Sequence, residues 1–91
     1  MQRRYSHAEG SSTKALGNSS HAEGDYTIAS GGASHAEGGG TFTLGQYSHA
    51  EGFETSATTI GSHSEGYRTL TTGDYSHAEG QLTTAITKSY F

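Results

Sequence analysis

The feature that most constrains this chain is Ser6-His7-Ala8-Glu9-Gly10. It returns at Ser20, Ser34, Ser48, Ser62 and Ser76, a step of 14 residues each time. Only the copy at Ser62 departs, with Ser64 in place of Ala. Six units without a slip in register define a repeat architecture, in which each unit buries its faces against its neighbours. The units run 6–19, 20–33, 34–47, 48–61, 62–75 and 76–89, with tails 1–5 and 90–91, so 1–91 reads as a single repeat domain.

Composition rules out an ordinary globular core. Only 30% of the residues are hydrophobic, there is no Trp, and much of the apolar count is Ala. Low hydrophobicity alone suggests disorder, but a disordered chain needs no register. The net charge of −4 argues against nucleic acid as a partner. With no Cys there is neither a disulfide nor a thiolate metal site. No segment is apolar enough to span a membrane, so no membrane insertion is expected. No signal-peptide pattern is read at the start. Met1 to Arg4 look like a start and a short basic lead-in, and the chain is expected to be a fragment of a longer appendage.

The rest of each unit is also patterned. The eighth place is always Thr, the tenth is Ala or Thr, and the twelfth is Gly at Gly17, Gly31, Gly45 and Gly73. Thr59 and Thr87 break the twelfth-place rule, and Gly61 is expected to take over the turn there. Fourteen residues suit two strands of about five with two turns of about two. The glycines at the fifth and twelfth places mark the expected turns. Each unit is then one coil of a flattened solenoid, its strands stacked in parallel on the next coil about 4.8 Å away, in a rod of about 29 Å.

Alternation along a strand assigns the faces. The interior is expected to hold Ser6, Ala8, Thr13, Ala15, Ser20, Ala22, Thr27, Ala29, Ser34, Ala36, Thr41, Thr43, Ser48, Ala50, Thr55, Ala57, Ser62, Ser64, Thr69, Thr71, Ser76, Ala78, Thr83 and Ala85. The outer face of the first sheet carries His7, Glu9, His21, Glu23, His35, Glu37, His49, Glu51, His63, Glu65, His77 and Glu79. A solvated face has no reason to repeat His and Glu six times, whereas a packed one does. These twelve residues are therefore the expected subunit interface. The second sheet, with Lys14, Ser30, Ser56 and Thr84 among Ile28, Phe42 and Leu70, is the expected outer surface.

The pattern resembles the head repeats of trimeric autotransporter adhesins of the YadA type. Their motif reads Ser-Val-Ala-Ile-Gly, two free places, Ser or Thr, a free place, Ala, a free place, Gly. Ser6, Ala8, Gly10, Thr13, Ala15 and Gly17 match it place for place. The resemblance covers about residues 5 to 88 and implies an all-β, left-handed parallel β-roll, a homotrimer and a role in surface attachment. His7 and Glu9 stand where that family has Val and Ile, residues that pack at its trimer contact. The Ser-His-Ala-Glu-Gly variant is similar to stretches in phage tail fibres and related appendages.

Other readings are weaker. Ser, His and a carboxylate within four residues suggest a catalytic triad, but Ser6 and His7 face opposite sides of a strand, so no enzyme is expected. Stacked His could ligate a metal. A His/Glu network that hydrogen-bonds across chains and holds register is favoured over it, with no metal and no cofactor expected. Thr41-Phe42-Thr43 and Thr69-Leu70-Thr71 fit an ice-binding array locally, but alternation turns these Thr inward, where they would hydrogen-bond along the stack. The glycine pairs lack a phosphate-loop pattern. The expected function is a structural, homotrimeric fibre or head segment of an extracellular, cell-surface or virion appendage. The alternative is an adhesive module that binds a host receptor, matrix or sugar on its outer sheet.

Overall fold

The computed structural model describes residues 5–86. Among these residues all regular structure is β. Each coil contributes one long and one short strand: β1 (His7–Ser11) and β2 (Lys14–Ala15), β3 (His21–Asp25) and β4 (Ile28–Ala29), β5 (His35–Gly39) and β6 (Phe42–Thr43). The series continues with β7 (His49–Phe53) and β8 (Ser56–Ala57), β9 (His63–Tyr67) and β10 (Leu70–Thr71), β11 (His77–Gln81) and β12 (Thr84–Ala85). The odd strands form one six-stranded parallel sheet in chain order, and the even strands form a second. Pairing joins residues one unit apart: His7 lies opposite His21, Glu37 opposite Glu51, Leu70 opposite Thr84. The chain is thus a six-coil β-solenoid with 14 residues per coil, flattened to extents of 34 × 22 × 13 Å.

Two expectations about the coil change. Its strands are unequal, five residues against two, because the long strand runs through the fifth-place Gly instead of ending there. Gly38 shows why Gly is required at that place. Its φ is +109°, and a Cβ would lie 2.0 Å from the carbonyl oxygen of Gly52 in the next coil. This is a close approach inside a sheet, not a turn.

The corners lie instead at the seventh and fourteenth places. Ser12, Tyr26, Gly40, Glu54, Arg68 and Leu82 form one, and Tyr5, Ser19, Ala33, Tyr47, Gly61 and Tyr75 the other, all with φ between 55° and 64°. A left-handed conformation costs an L-residue about 1–2 kcal/mol. It is held by backbone bonds to the preceding coil: Tyr26 N–H donates to Ser11 C=O at 2.8 Å, Ala33 to Asn18 at 2.8 Å and Arg68 to Phe53 at 2.8 Å. The constraint falls on the backbone, which is why the side chains there vary. Gly61 serves as a corner like its counterparts, not as a substitute for the Gly missing at Thr59. Thr87 lies outside the described residues. The serine hydroxyls complete the turn that follows the twelfth place, as Ser20 Oγ donates to Gly17 C=O and Ser34 Oγ to Gly31 C=O, both at 2.6 Å.

The interior is made of small side chains, and the largest fully buried are Thr. Ala15, Ser20, Ala22, Thr27, Ala29, Ser34, Ala36, Thr41, Thr43, Ser48, Ala50, Thr55, Ala57, Ser62, Ser64, Thr69, Thr71, Ser76 and Ala78 are buried. Ser6, Ala8 and Thr13 in the first coil, with Thr83 and Ala85 in the last, are half-buried, because each has a neighbouring coil on only one side. The expected Thr ladder along the stack does not form. Thr55 Oγ1 donates to Glu51 C=O of its own coil at 3.1 Å, Ser64 and Thr69 hydroxyls meet at 2.6 Å, and the Thr27 and Thr41 hydroxyls have no partner. Two interior Thr do reach the adjacent coil, Thr43 Oγ1 donating to Ile28 C=O at 3.5 Å and Thr71 Oγ1 to Ser56 C=O at 3.4 Å, but these bonds do not recur at every level.

Candidate interface face of stacked histidines and glutamates

Pairing with no offset brings all six His into one column and all six Glu into a second beside it. Strand spacing then sets the ring spacing: His21 and His35 stack at 4.7 Å with planes 2° apart, as do His49 and His63 at 4.7 Å and His63 and His77 at 4.4 Å. His35 and His49 are 4.8 Å apart but turned by 12°. At the first coil His7 tilts 59° from His21.

Each His touches the Glu two residues on, since both point out of the same strand face. The Nε2–Oε1 distances are 3.0 Å for His21–Glu23, 3.1 Å for His35–Glu37 and 3.0 Å for both His49–Glu51 and His63–Glu65. These contacts are not aligned as hydrogen bonds. The Nε2 atoms of His21, His35, His49 and His63 are buried without a hydrogen-bond partner. His7 differs, with Nε2 in a 2.6 Å hydrogen bond to Glu9. Within one chain, the middle of the column is therefore contact without hydrogen bonding. The central side chains remain about one-third exposed, at 35% for His35 and 33% for Glu37.

The Glu column borders an open groove whose other wall is Gly24, Gly38, Gly52, Gly66 and Gly80. The fixed Gly beside each Glu is the sequence signal for this groove rather than for a turn. Like groups in register shift one another. Burial, followed by hydrogen bonding to Glu23 and Glu51 and by their charges, pushes the Glu37 carboxyl up to about 7. Burial first, and then the neighbouring His49 and His21, lower His35 despite the opposing Glu23 and Glu51. His63 is lowered by burial and by His49 and His77.

The remaining candidates are placed as follows. Ser20, Ser34, Ser48, Ser62 and Ser76 are buried and donate to carbonyl oxygens three residues back, away from the His column. Thr41, Thr43, Thr69 and Thr71 are buried, so neither Thr-x-Thr segment presents an array to solvent. On the second sheet Ile28, Phe42 and Leu70 are half-buried and Leu44 is exposed. Aromatic residues pack across coils at one corner edge, where Phe53 and Tyr67 stack at 5.5 Å and Arg68 lies over the Tyr67 ring. No family model, no curated protein and no solved structure matches this chain.

Proposed function

We propose that the chain is a structural segment of an extracellular or virion appendage, assembled as a homotrimeric left-handed β-roll through its His/Glu face. One observation carries the reading. The outward face identical in all six coils is also the one whose Nε2 atoms, at His21, His35, His49 and His63, are buried and unbonded within a single chain. A second copy supplies groups that such atoms lack, and a face repeated at every coil meets the same partner at every level. The small interior adds to this, since Ala and Thr give little apolar burial to offset chain entropy. Nothing in the reading requires catalysis. Sedimentation equilibrium at micromolar concentration tests it: the expected mass is three times the 9.5 kDa chain, and a folded monomer overturns it.

A second reading has its own observation. Tyr26, Phe53 and Tyr67 are exposed on one corner edge at 66%, 48% and 41%, where flat rings suit a sugar or a receptor surface. An adhesive module predicts that Phe53→Ser with Tyr67→Ser abolishes attachment to a host surface and leaves the solution mass unchanged. A purely structural segment predicts no effect on attachment.

A further inference from the structure

The geometry points to a divalent transition-metal site built within one chain from two successive coils, a His–Glu–His set that repeats along the column. Three such sets exist among the described residues: His21, Glu23 and His35; His49, Glu51 and His63; His63, Glu65 and His77. In each, the three ligand atoms lie within 4.8 Å of one another. Two imidazoles and a carboxylate, with water in the fourth position, are a donor set for Zn²⁺ and its neighbours.

The alignment, rather than the distance, leaves these nitrogens open to an ion. Around a four-coordinate ion with bonds of about 2.0 Å, ligand atoms stand about 3.3 Å apart. His21 Nε2 and Glu23 Oε1 are already 3.0 Å apart without being hydrogen-bonded. Only the nitrogen of the adjacent coil has to swing inward, since the three ligand atoms already lie within 4.8 Å. The ring planes indicate where sets form. The column is parallel to within 2° across His21–His35 and across His49–His63–His77, and it breaks at the 12° turn between His35 and His49. No set spans that break. His7 stays outside because its ring is tilted and its Nε2 is bonded to Glu9.

This arrangement fixes a number. The second and third sets share His63, so two sets at most can be filled at once, and the chain takes two ions. Since every ligand comes from one chain, the site does not depend on trimer assembly. Titration of chelator-stripped protein with Co²⁺, followed by its visible absorption band and by native mass spectrometry, is expected to saturate at two ions per chain. His63→Ala removes both sets that use it and is expected to leave one ion. His49→Ala leaves the first and third sets intact and is expected to keep two, as is His7→Ala. No tetrahedral band up to millimolar Co²⁺ overturns the proposal. Equal losses for His7→Ala, His49→Ala and His63→Ala also overturn it, because they would place one ion at each level of the stack. The solution mass in chelator tests trimer assembly separately.

Discussion

Replacing one glycine tests the close approach between coils, and a second glycine two residues away serves as its control. Gly38→Ala places a Cβ at 2.0 Å from Gly52 O and 2.9 Å from Gly52 N, at a φ of +109°. The conformation costs an L-residue about 1–3 kcal/mol. The clash requires neighbouring coils to move apart by more than an ångström within a sheet whose bonds cannot stretch that far, a further cost of about 1–3 kcal/mol. Together these give a loss of about 4 kcal/mol, or about 15–30 °C in Tm for a domain of this size. Gly40→Ala meets only Glu54 Cγ at 3.4 Å at a φ of +64°, a conformation that Tyr26, Glu54 and Arg68 adopt at the same corner. Its strain of about 1–2 kcal/mol is partly offset by about 0.4–1 kcal/mol of lost freedom in the unfolded chain. A net loss near 1 kcal/mol follows. Thermal melts by circular dichroism at one fixed chain concentration measure both. Equal losses for the two variants, or a Gly38→Ala loss below about 1 kcal/mol, would refute the coil-contact argument.

Three other perturbations test separate parts of the structure. Deletion of residues 34–47 removes one coil and is expected to leave a shorter, cooperatively melting rod, whereas a seven-residue deletion exchanges the two sheets and is expected to prevent folding; dichroism of both variants decides. In chelator, Glu37 is raised, so its contribution is full below the unfolded carboxylate range and is lost as pH rises through about 7. His35 and His63 are lowered, so theirs is full above the unfolded imidazole value near 6.5 and is lost as pH falls below it. Melts from pH 4 to 8 are therefore expected to lose the alkaline-side fall in Glu37→Gln and to lose part of the acid-side fall in His35→Gln; unchanged profiles would contradict the shifts. Replacing both columns by Val and Ile is expected to give a trimer at least as stable with a flattened pH profile, since a packed apolar contact often equals a buried polar one. A flat, identical pH profile for the parent and this variant would count against this face as the contact.

The period made the coil and its register legible, because self-similarity every 14 residues maps directly onto His7 opposite His21 and Ala22 opposite Ala36. Period-two alternation likewise separated Ala22 and Thr27, which are buried, from His21 and Glu23, which are half-exposed. The corners were not legible. A left-handed residue is normally announced by Gly or Asn, yet here Tyr, Ala, Glu, Arg and Leu occupy the position. What holds them is the backbone bond to the coil below, a non-local term that side-chain identity does not report. The fixed Gly at the fifth place gave a clear signal that had two physical readings, a turn or a close approach. Only the height of the neighbouring coil separates them.

The same stacking that makes the His/Glu face regular also makes its charge collective. Unit charges 4.7 Å apart interact by about 3.5 kcal/mol at an effective dielectric near 20, and by less for groups one-third open to water. A fully charged column of either kind is therefore unfavourable, and each level answers to the levels above and below. Glu37 shows this, since the carboxylates of Glu23 and Glu51 add to burial in holding its proton. His35 is lowered, first by burial and then by the flanking His49 and His21, all of which disfavour its charged form. At His35, Glu37 and His63 the neutral form is favoured, and along the middle of the column ring nitrogens lie in contact range of oxygens they do not bond. Such a face is completed by something that brings donors or positive charge to every level together. A second copy of the chain in register does this by symmetry, and a divalent ion does it for two levels at a time.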